Sequence, residues 1–223
     1  MAAGDITDAL TAKARIILNE ASAGFWLDAQ IISLLTNAQR KCIIVLLEKK
    51  KQMLSIDPLY LPTALEPVIK KSSAITTSTA NYYAITAITD LIEVLEVELV
   101  NASPARTLKT TYLPITKQMQ FMRNSYTTHS YDTTAKTGTV YSSIYGSTLQ
   151  TSFATAGFPN SDYAQIYITY VYNPPDMTTD VDPVLKADCY DAMIYMAISD
   201  AFAKDGLRLE AQQYYQMALT LLI

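Results

Sequence analysis

The stretch Gly24–Arg40, GFWLDAQIISLLTNAQR, constrains the fold more than any other part of this chain. A Phe-Trp pair precedes Asp28, and apolar residues then recur at Ile31, Leu34, Leu35, Ala38, Cys42, Val45 and Leu46. That spacing lays a continuous stripe along a helix running from about Asp28 to about Met53. The aromatic pair is placed to wedge beside the first turn. Asp28 supplies negative charge where free N–H groups and the helix dipole favour it. The run Cys42–Leu47 is apolar around much of the helix. One neighbouring face does not cover all of it, so Ile43, Ile44 and Leu47 are expected at a contact with another subunit. The Glu48-Lys49-Lys50-Lys51 end reads as a solvated C-terminus whose cations oppose the dipole.

A second helix is expected before this one. Ile6, Leu10, Ala14, Ile17 and Leu18 form a stripe after Asp5, read as its N-cap, and Asn19–Gly24 breaks it. At the other end of the chain, Asp182-Pro183 reads as an N-cap followed by proline at the first helical position. Leu185, Cys189, Ala192, Met193, Met196 and Ala203 then line one face, Gly206 is the stop, and a last helix carries Ala211, Tyr214, Ala218, Leu221 and Leu222.

Between these hairpins the texture changes. A proline-punctuated connector is expected to hold one short helix over 62–71, kinked at Pro67. Ala74–Ile85 is Thr-rich and β-prone. Leu95-Glu96-Val97-Glu98-Leu99 alternates, which predicts a half-buried strand with both glutamates on the wet face. Gln165–Tyr172 alternates likewise. Thr139–Leu149 reads as a hairpin turning near Gly146, and Met119–Tyr126 as a short helix. From Ser125 to Ala164 the only charged side chains are Asp132, Lys136 and Asp162. The aromatics there, among them Tyr141, Tyr145, Phe153, Phe158 and Tyr163, are expected to face another subunit, a portal or a tail. The fold class is therefore α+β: a helical bundle built from N- and C-terminal helical hairpins (1–72 and 183–223), with a β-rich insert (73–182).

Composition narrows the function classes. The chain has 223 residues, only 17% of them charged, with a net charge of −4 and 16 Tyr. That balance suits protein contact and opposes a basic nucleic-acid face. The N-terminal residues include Asp5 and Asp8 and no apolar signal region, and no run approaches the ~20 apolar residues of a membrane span. A soluble protein made in a cytoplasm is expected. Cys42 and Cys189 read as buried thiols, with a disulfide left open. The single histidine, His129, has no acidic or thiol neighbours at ligand spacing. No glycine-rich phosphate loop or nucleophile elbow is present. Asp176, Asp180 and Asp182 fit helix capping better than a cation site. No catalytic residue, cofactor or metal is expected.

The order of these segments resembles the bacteriophage head-to-tail adaptor, or connector, family. The resemblance rests on several segments taken in order. They are Trp26 and Asp28 at the second-helix entry with Asn37-Ala38-Gln39-Arg40, then YYAI…DLIEVLEV (Tyr82–Val97) and YSSIYGSTL (Tyr141–Leu149). IYITYVYNPPD (Ile166–Asp176) and the closing YDAMIYMAISDAFAKDG…EAQQYYQMA (Tyr190–Ala218) complete it. It implies that Phe25, Trp26, Asp28, Tyr190 and Tyr214 anchor the fold as packing residues. It also implies a homo-oligomeric ring, commonly a dodecamer, in the virion neck and assembled in the host cytoplasm. Such a ring binds the portal and the tail or nozzle proteins. It prolongs the channel for genomic DNA, which passes without sequence-specific binding, and helps retain the packaged genome. Leu27 stands where the family often has Ser or Thr, a better cap. Ile85–Thr89 replaces a common Leu-Pro. The chain stops at Ile223, on the last helix, so portal docking by a long C-terminal tail is not expected. Two other readings remain open: another neck or tail-completion protein of a phage, and a non-viral helical scaffold. The missing ~34-residue repeat opposes the scaffold.

Overall fold

The computed structural model describes residues 4–20, 24–54, 56–57, 60–76, 82–102, 105–112, 141–151 and 165–222. The chain is mixed helix and strand and forms two compact units. One comprises the residues up to Val68 together with those from Asn173 onward, the other Ile69–Tyr172.

The first unit contains four α-helices: α1 (Asp5–Ile17), α2 (Asp28–Met53), α3 (Tyr190–Lys204) and α4 (Arg208–Leu222). At 26 residues, α2 is about 39 Å long. It contacts α1, α3, α4 and a 3-10 turn, Thr63–Val68. These intrachain neighbours correct one expectation. Ile43 and Leu47 are buried in the core of their own chain, and of the expected interface trio only Ile44 is exposed. The apolar run is covered on several sides without a second subunit.

Two helix starts also differ from the expectation. The N-cap of α1 is Gly4, in the left-handed region at φ +90°, and Asp5 is the first helical residue. The capping carboxylate arrives from far along the sequence. Asp182 Oδ1 accepts hydrogen bonds from the main-chain N–H of Ile6 and of Thr7, each 3.0 Å long, and the Thr7 hydroxyl donates to the Val181 carbonyl at 2.9 Å. Asp182 therefore caps α1 rather than the helix that follows it. Residues 183–186 are not helical. The Gln39 side-chain oxygen accepts from the N–H of Val184 (2.6 Å) and Leu185 (3.4 Å), and Lys186 is extended. The chain turns helical only at the 3-10 turn Ala187–Cys189, leading into α3.

α3 is buried nearly all round, through Ala192, Met193, Ile194, Met196, Ala197, Ile198 and Ala201. Cys42 meets Met196 across the α2–α3 contact, with sulfurs 3.6 Å apart, and Lys41 pairs with Asp200 at 2.5 Å. Both cysteines are free and buried. Gly206, at φ +80°, makes the tight exit from α3 into α4. The hairpin is closed by Ser199, whose hydroxyl donates to the Ala211 carbonyl at 2.7 Å. The Tyr214 ring contributes too, lying 5.4 Å from Phe202 and 6.0 Å from Tyr195.

The second unit is an eight-stranded sheet in the order β1-β8-β4-β5-β6-β7-β3, with β2 also on β8. Its strands are β1 (Ile69–Lys71), β2 (Ile75–Thr76), β3 (Tyr82–Ala84), β4 (Leu91–Ala102), β5 (Ala105–Tyr112), β6 (Tyr141–Tyr145), β7 (Thr148–Thr151) and β8 (Gln165–Tyr172). All pairings are antiparallel except β5 with β6. β2 pairs with β8 near one end and β3 with β7 at the other. β2 and β3 also lie in contact with one another, so the sheet curls round on itself. Its core holds Val94, Val97, Leu99, Ile166, Ile168 and Tyr170.

Glu96 and Glu98 are paired with Lys109 and Lys71. Leu95 departs from the strict alternation. The register shifts between Val94 and Glu96, and this bulge leaves Leu95 half-buried while Val94 takes the inward position. The hairpin of β6 and β7 turns at Gly146, with Tyr145 opposite Thr148, and φ +58° there suits glycine. Residues 62–71 form the 3-10 turn followed by β1 rather than one kinked helix, because Pro67 lacks the N–H that a longer helix needs. The helix expected over Met119–Tyr126 lies outside the described residues.

Candidate functional site

The most elaborated local structure in the helical unit is the junction of α1 and α2. Thr7, Thr11 and Arg15 recur every fourth residue beside Leu10 and Ala14, and all five are buried. The Arg15 side chain therefore runs inward at the end of α1, where its guanidinium meets the start of α2. Nε and Nη2 donate to Asp28 Oδ1 at 2.9 and 2.5 Å, and Nη2 also donates to the Trp26 carbonyl at 2.9 Å. Glu20 completes the knot, accepting from the N–H of Phe25 (3.0 Å) and Trp26 (3.1 Å) and lying 3.6 Å from Arg15 Nη1. Asn19, at φ +57°, makes the sharp departure from α1, a conformation that asparagine tolerates better than most residues.

This arrangement settles how α2 starts without a Ser or Thr cap. Leu27 is the N-cap, and the Gln30 side-chain oxygen accepts its N–H at 2.9 Å, the reciprocal half of a capping box. Asp28 sits in the first turn, held by Arg15. Trp26 is 7% exposed, with its ring 6.0 Å from Lys204 Nζ. Phe25 is corrected as an anchor. It is 71% exposed, meeting the Trp26 ring edge-on at 5.5 Å between centroids. Arg15 and Glu20 do much of the anchoring, and neither was among the expected site residues. The signal for Arg15 was present in sequence, as a polar ridge at four-residue spacing alongside the apolar stripe.

The remaining expected residues are distributed as follows. Tyr190 opens α3, half-buried, and burial pushes its hydroxyl above the ordinary tyrosine range. Tyr214 packs in the α3–α4 hairpin. Tyr141 and Tyr145 are the first and last residues of β6, and the description does not extend to their side chains. Phe153, Phe158, Tyr163 and His129 lie outside the described residues. Asp176 pairs with Arg40 at 2.5 Å, and Arg40 also reaches Asn173 at 3.0 Å.

Chemically the helical unit is quiet. Burial pushes both the Cys42 and Cys189 thiols up, opposite to what a nucleophilic thiolate needs. Among the described residues no group of three or more His, Cys, Asp or Glu side chains is placed to hold a metal ion. No described helix is long and apolar enough to cross a membrane. A groove of about 360 Å³ runs beside the first half of α2, lined by Ile32, Ser33, Asn37, Arg40, Asp176 and Met177 among others. Its one cation is already engaged by Asp176.

What the unit does expose is apolar surface. Ile16, Phe25 and Leu27 stand out at the α1–α2 junction, and Leu207, Leu209, Met217 and Leu221 at and along α4. The family model described as SU10 adaptor protein matches residues 3–222. No curated protein sequence gives a match.

Proposed function

The chain belongs to the SU10 adaptor protein family, and from that premise we propose that it is the head-to-tail adaptor of a phage virion, forming a ring between portal and tail. The observation that carries this reading is the match over residues 3–222, which takes in both units rather than one shared helical motif. In this reading the copies close into a ring, commonly a dodecamer in this family, seated beneath the portal. Tail or nozzle proteins dock on its far side. The ring lengthens the DNA channel and helps hold the packaged genome. It occupies the neck of the virion after assembly in the host cytoplasm.

The physical properties of the chain support that role. A net charge of −4 suits a channel through which DNA slides without sticking, since phosphate binding requires clustered cations. The protein acts as a structural part rather than an enzyme, and it needs no cofactor. Trp26, Asp28, Tyr190 and Tyr214 hold the helical unit in shape. Ile44, Tyr141, Tyr145, Phe153, Phe158 and Tyr163 face neighbouring subunits, the portal or the tail.

The test is genetic. A phage carrying a nonsense mutation in this gene should produce heads that package DNA but remain tailless and lose the genome on purification. Supplying the protein should restore tail joining. Normal tailed, infectious particles formed without it would overturn the proposal.

A further inference from the structure

α1 is attached to the helical unit differently from α2 and α3. Of the residues it buries, Thr7, Thr11 and Arg15 are polar, and only Leu10 and Ala14 are apolar. α2 buries Ile31, Leu34, Leu35, Ile43 and Leu46 among others, and α3 is buried nearly all round. Apolar burial is most of what holds a packed helix in place. Hydrogen bonds contribute less, because water replaces them once the helix lifts away. The polar attachments of α1 sit at its two ends. At the head, Asp182 and the Val181 carbonyl hold the first turn through Ile6 and Thr7. At the tail, Arg15 is tied to Asp28 and to the Trp26 carbonyl. Between them the outward side carries Asp8, Ala9, Ala12 and Lys13, all exposed. Lys13 lies 3.5 Å from Asp191 of α3, an ion pair open to solvent, and such pairs hold little.

We propose that α1 is a hinged strap: the clasp at Asp182 releases, the knot at Arg15 holds, and the rest of the helical unit stays folded. The head is free to leave because it is joined to its neighbours only through side chains and the Val181 carbonyl. The tail is tied to the start of α2 by the chain itself as well as by Arg15. α1 has 13 residues, and an isolated helix of that length is marginal in water. The released strap therefore unwinds. Opening bares the surface of α2 and α3 that Leu10 and Ala14 cover, while α3 keeps its contacts with α2 and α4. The strap thus gates apolar surface at the centre of the unit. This inference rests on the helical unit alone and not on the ring reading.

Hydrogen exchange of the unaltered full-length protein is the first test. The amides from Ala9 to Ala14 should share one level of protection, about tenfold or more below that of α2 between Leu34 and Leu46 and of α3. Equal protection in the three helices would mean that α1 leaves only when the whole unit unfolds, and overturns the strap. Protection that rises gradually from Ala9 to Ala14 would be end fraying, and overturns it too.

Thiol labelling gives an independent readout. Thr11 is buried, and its hydroxyl donates to the Thr7 carbonyl of the same helix, so Thr11→Cys disturbs little else. The native Cys42 and Cys189 are buried and free. A maleimide should modify the introduced thiol long before it modifies Cys42, and equal rates would overturn the strap. Lys13→Cys combined with Asp191→Cys, joined across the exposed ion pair by a short bis-maleimide, closes the strap covalently. The linked protein should show α1 amides protected about as well as those of α3. Exchange in α1 that is as fast with the link as without it would overturn the proposal, because the amides would then exchange without lifting away.

Discussion

Replacing Asp182 by alanine should unfasten the N-terminal helix. Its carboxylate accepts two main-chain N–H groups of α1, each at 3.0 Å, and the Thr7 hydroxyl is held beside it by the Val181 carbonyl. Thr7 is fully buried, so its N–H finds no water when the acceptor is removed. A buried donor left unpaired costs about 1–3 kcal/mol, and losing an N-cap costs typically ~1 kcal/mol. Water reaches the Ile6 N–H, which is only half-buried, so the two costs overlap and Asp182→Ala should lose about 2–3 kcal/mol. Asp182→Asn keeps an acceptor oxygen and loses only the charge at the helix N-terminus, worth about 0.3–1 kcal/mol. Asp180, exposed in the same loop, serves as the control, and Asp180→Ala should stay within about 0.5 kcal/mol. Urea unfolding followed by circular dichroism gives the stabilities. Hydrogen exchange should show faster exchange concentrated in α1 for the alanine variant. Alanine and asparagine variants of equal stability, or an alanine variant within about 0.5 kcal/mol of the parent, would refute the reasoning.

Three further outcomes follow from the same geometry. At Gly4 an added Cβ would lie 1.6 Å from the Thr179 carbonyl oxygen, at φ +90°; Gly4→Ala should destabilise by more than ~1 kcal/mol and release the first turn of α1, read by hydrogen exchange. Trp26→Ala should cost about 3–5 kcal/mol, and emission from this single Trp should be that of a buried ring; emission typical of full exposure would contradict its placement. In the sheet unit, desolvation opposes ionisation of Asp90, but hydrogen bonds from Lys70 (2.9 Å) and Tyr170 (3.1 Å) prevail and hold its carboxyl below the ordinary carboxylate range. A depressed folded-state pKa adds stability that is present above the unfolded value and is lost as pH falls through the folded one. Acid unfolding of the parent should therefore be steeper than that of Asp90→Asn, and superimposable acid limbs would contradict it.

The legible parts of this chain were those where side-chain period alone decides the outcome. The α2 stripe, the alternation at Val97 to Leu99 and the β6–β7 turn at Gly146 each follow from local sequence. The illegible parts depend on partners far away. Asp182 carries the chemistry of a cap, yet which helix it caps is set by tertiary packing that brings α1 to it. Pro183 then begins a non-helical bend held by Gln39, not a helix. The two-sided burial of Ile43 and Leu47 depends on how many helices surround α2, a count that no helical wheel contains. Leu95 fails the alternation because a bulge inserts one residue into β4. The Arg15–Glu20–Asp28 knot required a polar ridge to be read as inward-facing, against the usual preference of arginine for the surface.

The adaptor reading is tested most directly by native mass spectrometry of the purified protein mixed with its portal. The account predicts a portal complex carrying a closed set of copies, with mass in a fixed ratio to the portal ring and no partial rings at saturation. A protein that stays monomeric beside unmodified portal, or binds it in open and variable numbers, would contradict it.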